Sequence, residues 1–428
     1  MVAPDERGIP RREFVKSAVA IGGASALSAC LSRESVDVPR GPTDLSSLPQ
    51  RQHAWNDVLE TDEHGNPIVP RHRVLLLLNY RGDGAPTDAD RQTMAEALQS
   101  LEHAYPRDNE GLLFTVSYSP AYFERFEESL PDSVDLPMPE ALASFEDPEL
   151  DTPDAVVHLA SDYGKVVLAA EEALKGEKET LNGVDVAASL DGVFDFVDRR
   201  TGFIGDGLPA KHDDVAGVPE GEVPEDATLY MGFESGFLKN QASEDRVSIP
   251  KGPFADGTTQ HVSNITLNLN QWYQQDDRYQ RVSKMFCPYH AKNDIVEGTG
   301  ENLHTSQMEL CKPDEQAARE DAVVGHSQKM VDVREGDQAI ILRRDFDSTD
   351  GDHAGLHFVS LQRGIGDFVT TREAMNGTDL AENSAVGQRN NNGILQYMNV
   401  ERRGNYLVPP RRLRELPPAN PETEGTNA

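Results

Sequence analysis

Residues 322–363 read AVVGHSQKMVDVREGDQAIILRRDFDSTDGDHAGLHFVSLQR, and this stretch contains the most informative sequence pattern of the chain. His326 lies in a loop of small and polar residues, 17 positions before the pair Arg343–Arg344. That pair ends the apolar run 339–342, which has the composition of a strand, and a second β-rich run occupies 355–362. A hairpin-like arrangement would bring an imidazole, which is a good iron ligand, and a guanidinium, which suits carboxylates and developing oxyanions, towards one cavity.

The same stretch resembles the carboxyl-terminal half of the dye-decolorising (DyP-type) peroxidases, a family of haem proteins. The family pattern is a histidine, a spacer one residue longer than here, the letters L-R-R-G, and then G-L-x-F-x-x-x-Q. His326, Arg343 and the run Gly355–Gln362 match it. The resemblance implies that His326 is the proximal haem ligand and that the cofactor is one haem b per chain. It places Arg343, or Arg344 as the alternative, near the opposite, distal face of the haem.

The distal side is where the sequence departs from that family. The family motif G-x-x-D-G carries an aspartate on the distal face, but the matching run 232–236 reads GFESG and has Ser235 in its place. A carboxylate can move a proton between the oxygens of hydrogen peroxide, whereas a serine hydroxyl does not ionise usefully near neutral pH. Glu234 points away from the site if the segment is a strand and reaches it only in a tight turn. We therefore expect measurable but weak peroxidase turnover that depends on Arg343.

A second departure lies behind the proximal histidine. The family often places an aspartate two residues after the terminal glutamine of the strand, where it orients the ligand histidine. Gln362 is followed by Arg363 and Gly364, so this acid is missing, and Asp367 can replace it only if the loop bends back to His326. A histidine without a carboxylate partner donates less electron density to iron, which disfavours peroxidase chemistry.

The segment 284–311 has the character of an insertion and contains a separate group of possible ligands. Cys287 and His290 are followed by His304 and Cys311. A disulfide between the two cysteines is the leading interpretation, with unpaired thiols or a zinc site as the alternatives. His290 is also the main rival of His326 as haem ligand, although it lacks the strand and the arginine at the right interval.

The front of the chain predicts a first α+β unit. Strand patterns near 74–80, 112–118 and 155–161 are combined with helical patterns near 87–103 and 165–174. This is the order of a ferredoxin-like split βαβ unit. Two of its segments also resemble motifs of the amino-terminal half of the DyP family, namely Gly111–Phe126 and Asp154–Tyr163.

The second half repeats this organisation. Its strand patterns fall at 261–269, 339–343 and 355–361, and its helical patterns at 272–285 and 364–376. The predicted fold class is therefore α+β, with two ferredoxin-like domains in which antiparallel sheets carry packed helices. The predicted domains span 71–215 and 226–415, and the stretch 205–226, rich in glycine, proline and acidic residues, links them.

The amino terminus predicts export. Arg11 and Arg12 precede an apolar run at 17–27, which is too short to span a bilayer as a helix and is typical of a signal sequence. The pair resembles a twin-arginine signal, and Leu27–Cys30 resembles a lipobox in which Cys30 becomes lipidated. We therefore expect a signal at 1–30, a disordered tether at 31–70, a disordered tail at 416–428, and a lipid-anchored protein on the extracellular face of the cell membrane.

Composition limits the partners. The chain of 428 residues has 40 Lys and Arg against 73 Asp and Glu, a formal charge of −33. This charge disfavours nucleic acid and anionic membrane surfaces as partners. Because the acidic residues are dispersed along the chain, we expect a salt-adapted, haloarchaeal-like protein whose surface stays hydrated while salt screens its charge repulsion.

The sequence as a whole predicts a haem-dependent peroxidase that oxidises an organic donor with hydrogen peroxide outside the cell. Because both acids beside the haem are missing, the first alternative is a non-catalytic lipoprotein that binds haem or handles haem iron. The second alternative is a lipoprotein that captures a solute. Expected partners are hydrogen peroxide, an organic electron donor and, through the lipid, a membrane; a homo-oligomer is compatible with the sequence.

Overall fold

The computed structural model of this protein describes residues 37–306 and 308–421. The predicted twin-arginine signal, the lipobox with Cys30 and the last part of the predicted tail lie outside these residues. Within the described ranges, none of the helices is both long and apolar enough to cross a bilayer.

The first half is a ferredoxin-like unit. Its strands are β1 (Glu60–Thr61), β2 (Pro67–Ile68), β3 (His72–Tyr80), β4 (Leu113–Tyr118), β5 (Glu149–Leu150), β6 (Ala155–Ser161), β7 (Thr180–Leu181), β8 (Val184–Asp185) and β9 (Phe194–Phe203). Its helices are α1 (Asp88–Ala104), α2 (Pro120–Phe123), α3 (Gly164–Leu174) and α4 (Leu208–Lys211). Four of the strands pair antiparallel in the order β9–β3–β6–β4, which is the ferredoxin-like arrangement of a β-α-β-β-α-β chain.

The second half has the same topology with longer insertions. Its strands are β10 (Thr258–Leu267), β11 (Leu342–Arg343), β12 (Phe346–Ser348), β13 (Gly355–Gln362) and β14 (Met398–Val408). Its helices are α5 (Glu244–Val247), α6 (Leu269–Gln274), α7 (Arg278–Met285), α8 (Pro288–Lys292), α9 (Asp314–Glu320), α10 (His326–Val331), α11 (Ile365–Asn376) and α12 (Thr378–Asn383). The antiparallel order β12–β13–β10–β14 mirrors that of the first half. The prediction of an α+β chain with two ferredoxin-like units is thus confirmed.

The two halves join into one ten-stranded sheet whose pairings close on themselves. β12 pairs with β9 through Asp347 and Phe203, and β14 pairs with β4 through Leu407 and Tyr118. One apolar cluster contains strand residues of both halves: Leu75, Leu77, Val156, Val262, Phe346, Val359 and Tyr406. The continuous apolar run of β3 is explained by this closure, because one face packs on helices and the other on the opposite sheet.

The prediction of a disordered tether at 31–70 is wrong for its described part. Trp55 is only 2% exposed and packs with Leu59, Leu113 and Ala160. The side-chain amide of Gln52 also bonds to both the N–H and the carbonyl of Val116 in β4. Buried aromatic and amide groups hold this segment on the sheet. Because it has no regular hydrophobic period, its sequence pattern did not indicate that it is ordered.

The prediction of a disordered tail at 416–428 is also wrong for its described part, residues 416–421. Leu416 is fully buried, and its N–H donates a hydrogen bond of 2.9 Å to the hydroxyl of Tyr118. Strand β9 was not predicted, because its polar and charged residues hide its β character. The short helix α4 within the predicted linker at 205–226 was not predicted either.

Candidate functional site

An inner cavity of about 210 Å³ lies in the second half. Strands β10, β13 and β14 form one wall, and helices α7, α10 and α11 form the other. It meets a larger outer chamber of about 720 Å³ that is bounded partly by residues 49–57. Ser235, Gly236, Arg343 and Asp345 line both spaces and so mark their junction. Lys239 and Asp337, exposed at the wall of the outer chamber, show that it opens to solvent.

His326 lines the inner cavity as the first residue of helix α10, and not in a loop as predicted. Gly325 precedes the helix, and its N–H donates a 3.0 Å hydrogen bond to the side chain of Gln328. Glycine is required there because a Cβ would lie 1.7 Å from the carbonyl oxygen of Phe286. The close approach of these two backbones fixes where the helix begins and therefore where the imidazole sits.

The imidazole of His326 is held neutral. Burial, followed by the positive charges of Lys329, Arg343 and Arg372, lowers its pKa from 6.5 to about 3. Neutral imidazole is the form that binds metals. Its Nδ1 atom is buried and has no hydrogen-bond partner among residues 37–306 and 308–421. Asp367 does not fill this role, because its carboxylate pairs with Arg246 at 2.9 Å.

The segment that carries Ser235 is a turn. Gly232 and Gly236 have φ values of 76° and 88°, a backbone region that favours glycine. In this turn Glu234 and Ser235 both line the inner cavity, so the strand alternative, in which Glu234 points away, does not apply. Burial, and then the negative charge of Asp206, raise the pKa of Glu234 to about 7.

The paired arginines face opposite ways, as successive residues of an extended chain do. Arg343 lines the inner cavity, and the N–H of its backbone is held by the side chain of Gln241 at 2.8 Å. Arg344 lies 5.6 Å from the ring centre of Trp55 and donates a 2.8 Å hydrogen bond to Asn56. Arg344 thus lines the outer chamber but not the inner cavity. The predicted strand at 339–343 is shorter in the structure and begins at Leu342.

Two acids that sequence reasoning missed follow Arg343 on the same face of the chain. Asp345 and Asp347 both line the inner cavity, as the period-two pattern 343, 345, 347 would have indicated. Asp345 approaches Arg343 to 3.9 Å between Oδ2 and Nη1. Asp347 accepts a 2.5 Å hydrogen bond from the N–H of Tyr230, and burial raises its pKa well above the ordinary value.

Two further arginines in the wall were also missed. Arg372 of α11 and Arg403 of β14 line the inner cavity, and both bond to Glu146 of the first half, Arg403 at 2.8 Å. The Nε and Nη1 atoms of Arg372 are buried without a hydrogen-bond partner in the described part of the chain. No local pattern connects these residues, because Glu146 is 257 positions from Arg403.

Cys287 and Cys311 form a disulfide, as the leading interpretation of the sequence had it. His290 lies beside it, with Nδ1 2.9 Å from Sγ of Cys287 and 3.0 Å from Sγ of Cys311. The three side chains are close enough to suggest a metal group, but the sulfurs are bonded to each other. His304 hydrogen-bonds to His64 instead, at 2.8 Å. His290 does not line the inner cavity, so it does not compete with His326 there.

Residues 70–410 match a family of unknown function, DUF7405. The chain belongs to the DUF7405 family. No curated protein sequence matches this DUF7405 chain.

Solved structures with a fold similar to that of this DUF7405 chain include several DyP-type proteins. A dye-decolorising protein from V. cholerae has a TM-score of 0.52 and 13% identity, over 84% of this chain and 98% of that one. DypB of Rhodococcus jostii, solved as a variant in complex with haem, has a TM-score of 0.54 and 13% identity, over 85% and 97%. The encapsulated DyP-type peroxidase of Mycobacterium smegmatis has a TM-score of 0.52 and 14% identity, over 87% and 100%. The predicted likeness to DyP-type peroxidases is thus confirmed for the fold.

The inner cavity of the DUF7405 chain offers a donor set that fits a haem. The neutral imidazole of His326 suits iron, and the extensive apolar wall suits a flat ring. The guanidinium atoms of Arg372 that lack a partner among the described residues suit carboxylates. The volume of about 210 Å³ is smaller than the roughly 300–1,000 Å³ of typical ligand sites, so side chains must shift to admit a haem. Methionine is suited to such repacking. Five methionines line the cavity: Met231, Met285, Met330, Met375 and Met398.

Proposed function

We propose that this protein binds one haem b per chain and oxidises an organic donor with hydrogen peroxide. The observation that carries the proposal is that His326, the first residue of α10, and Arg343, the last residue of β11, line the same largely apolar cavity. The fold shared with DyP-type peroxidases supports it, since those proteins include one solved in complex with haem.

Three side chains of the cavity and its apolar wall have separate roles in this proposal. A bound haem supplies the iron and the redox chemistry of the reaction. His326 holds the iron, and the apolar wall keeps bulk water from the reacting atoms. Arg343 stabilises the negative charge that develops on the departing oxygen of hydrogen peroxide. Arg372, whose Nε and Nη1 lack partners among the described residues, binds a carboxylate of the haem.

Spectroscopy and turnover test this proposal together. The purified protein is titrated with ferric haem while the Soret band is followed, and peroxide-dependent oxidation of a dye is compared with that of the same amount of free haem. Saturation at one haem per chain with turnover above free haem is expected. Absence of a Soret shift contradicts haem binding and favours the solute-capturing lipoprotein.

A non-catalytic haem carrier is the second candidate. The observation in its favour is that Nδ1 of His326 lacks an acceptor in the described part of the chain, so the iron would receive less electron density. A carrier releases haem readily, so rapid transfer of haem to apomyoglobin without peroxide turnover supports this candidate. Slow transfer with turnover supports the peroxidase.

The proposed location is the extracellular face of the cell membrane, reached by the twin-arginine route. It rests on Arg11, Arg12 and the lipobox-like sequence ending at Cys30. Replacing both arginines by lysine should block export, and Cys30→Ser should release the protein or stall its processing. A Cys30→Ser protein that is still processed and membrane-bound contradicts the lipid anchor.

A further inference from the structure

The loss of the distal aspartate at position 235 leaves the cavity without the carboxylate that the peroxidase reaction uses, unless another one replaces it. Three acidic side chains line the inner cavity: Glu234, Asp345 and Asp347. They differ in position and in hydrogen bonding, and these two properties distinguish them.

Asp345 occupies the junction of the two cavities. It lines both the inner cavity and the outer chamber, together with Ser235 and Arg343. Glu234 and Asp347 line the inner cavity only. A small reactant that enters from the solvent-connected outer chamber therefore meets Asp345, Arg343 and Ser235 at one place.

The carboxylate of Asp345 is buried and makes no hydrogen bond within the described residues. The residue is only 7% exposed. Its nearest charged partner is Arg343, and the 3.9 Å between Nη1 and Oδ2 is too long for a direct hydrogen bond. The charges of Arg73, Arg344 and Asp347 also act on it. The gap leaves room for a ligand atom that bonds to both side chains.

The other two acids are less suitable. The carboxylate of Asp347 already accepts a hydrogen bond from the N–H of Tyr230, and burial raises its pKa well above the ordinary value. Glu234 lies near the negative charges of Asp206 and Glu301, on the turn rather than on the strand of Arg343. Neither shares the junction with Arg343.

We propose that Asp345 is the catalytic carboxylate that moves the proton of hydrogen peroxide, replacing the aspartate lost at position 235. This inference rests on the proposed function. Asp345 accepts the proton of one peroxide oxygen and returns it to the other, which leaves as water when the O–O bond breaks. Breaking that bond takes two electrons, which a bound haem would supply and which two one-electron oxidations of the organic donor would replace. The second oxygen also leaves as water after taking two protons from solvent.

Cyanide binding tests this role without relying on turnover. Hydrogen cyanide must lose its proton when cyanide binds haem iron, and a distal base accepts that proton. In the haem-loaded protein, Asp345→Asn should slow cyanide association ~100-fold, as expected for loss of a general base. Asp352→Asn is the matched control, because Asp352 is exposed, lies outside both cavities and precedes the same strand β13. It should leave the association rate unchanged.

A rescue experiment separates proton transfer from a structural effect. Ser235→Asp in the Asp345→Asn background puts a carboxylate at the other side of the junction, so cyanide association and peroxide turnover should both rise about tenfold or more. Equal cyanide rates for wild type and Asp345→Asn, each with an intact Soret band, overturn the role of Asp345. So does a larger loss for Asp347→Asn. A wild type without a Soret band overturns the proposed function itself, and the role of Asp345 with it.

Discussion

Arg344 lies over the ring of Trp55, with its guanidinium carbon 5.6 Å from the ring centre, and is anchored by a hydrogen bond to Asn56. Because successive side chains of an extended chain point to opposite faces, this anchor turns Arg343 into the inner cavity. The amino-terminal segment thus sets the orientation of a residue almost 300 positions later, as the separation of 288 between Asn56 and Arg344 records. Arg344 therefore anchors this part of the chain, and Arg343 lines the candidate site.

Replacing His326 by alanine should abolish the Soret band of the haem-loaded protein or shift it strongly. His326 supplies the only neutral imidazole that lines the inner cavity within the described residues. The control is His290→Ala, which removes an imidazole outside the cavity and should leave the Soret band in place. Loss of the band in His290→Ala with retention in His326→Ala would reverse the assignment.

Arg343→Leu should lower peroxide turnover to the level of free haem while the protein stays folded. The reason is that Arg343 provides the positive charge at the junction of the two cavities. Arg344→Leu is the matched neighbour. It should lower the thermal midpoint, because it removes the contacts of Arg344 with Asn56 and Trp55. It should retain turnover per bound haem, because the N–H of Arg343 stays bonded to Gln241, which keeps Arg343 at the inner cavity. Steady-state kinetics normalised to the Soret absorbance measure the turnover of both variants, and thermal denaturation measures their stability. Equal losses of activity in the two variants would contradict these separate roles of Arg343 and Arg344.

The disulfide should control how firmly the helix of His326 is held. Phe286, next to Cys287, packs against Gly325, and the carbonyl of Lys312, next to Cys311, accepts a 2.6 Å hydrogen bond from Gln328. Because the link spans 24 positions, replacing both cysteines by alanine should cost about 3 kcal/mol of unfolding free energy.

Chemical denaturation measures this loss, and haem transfer to apomyoglobin should become faster in the same variant. Incubation of the wild type with a reductant should reproduce both changes and leave the double variant unaffected. Unchanged haem retention in the double variant would show that the disulfide does not support the site.

Glu234 should make stability depend on pH. Its pKa is raised from 4.5 to about 7 in the folded protein by burial and by Asp206, so the folded state keeps a proton that the unfolded state releases. The stabilisation is therefore complete below pH 4.5 and is lost as pH rises to about 7. Glu234→Gln cannot titrate, so the difference in thermal midpoint between wild type and variant should change over this interval and stay constant above it. A difference that does not vary with pH would place Glu234 in contact with solvent.

Much of the fold could be predicted from the sequence because its signals are local. The runs of β3, β4 and β6, and the helices between them, have clear periodicity, and their order already indicates a ferredoxin-like unit. Strand β9 was missed because charged residues interrupt its apolar pattern, and its place is set by pairing with β3 and β12 rather than by its own composition.

The sequence was enough to predict that His326 and Arg343 line one cavity, because they lie on neighbouring elements, α10 and β11. What surrounds them depends on the tertiary structure. Glu146 joins Arg372 and Arg403 across the two halves. Trp55 supports Arg344 from a segment without periodicity, and Asp345 is left without a hydrogen-bond partner among the described residues beside Ser235. These contacts depend on closure of the ten-stranded sheet, which brings distant residues together and removes them from water, and no local pattern of residues encodes that proximity.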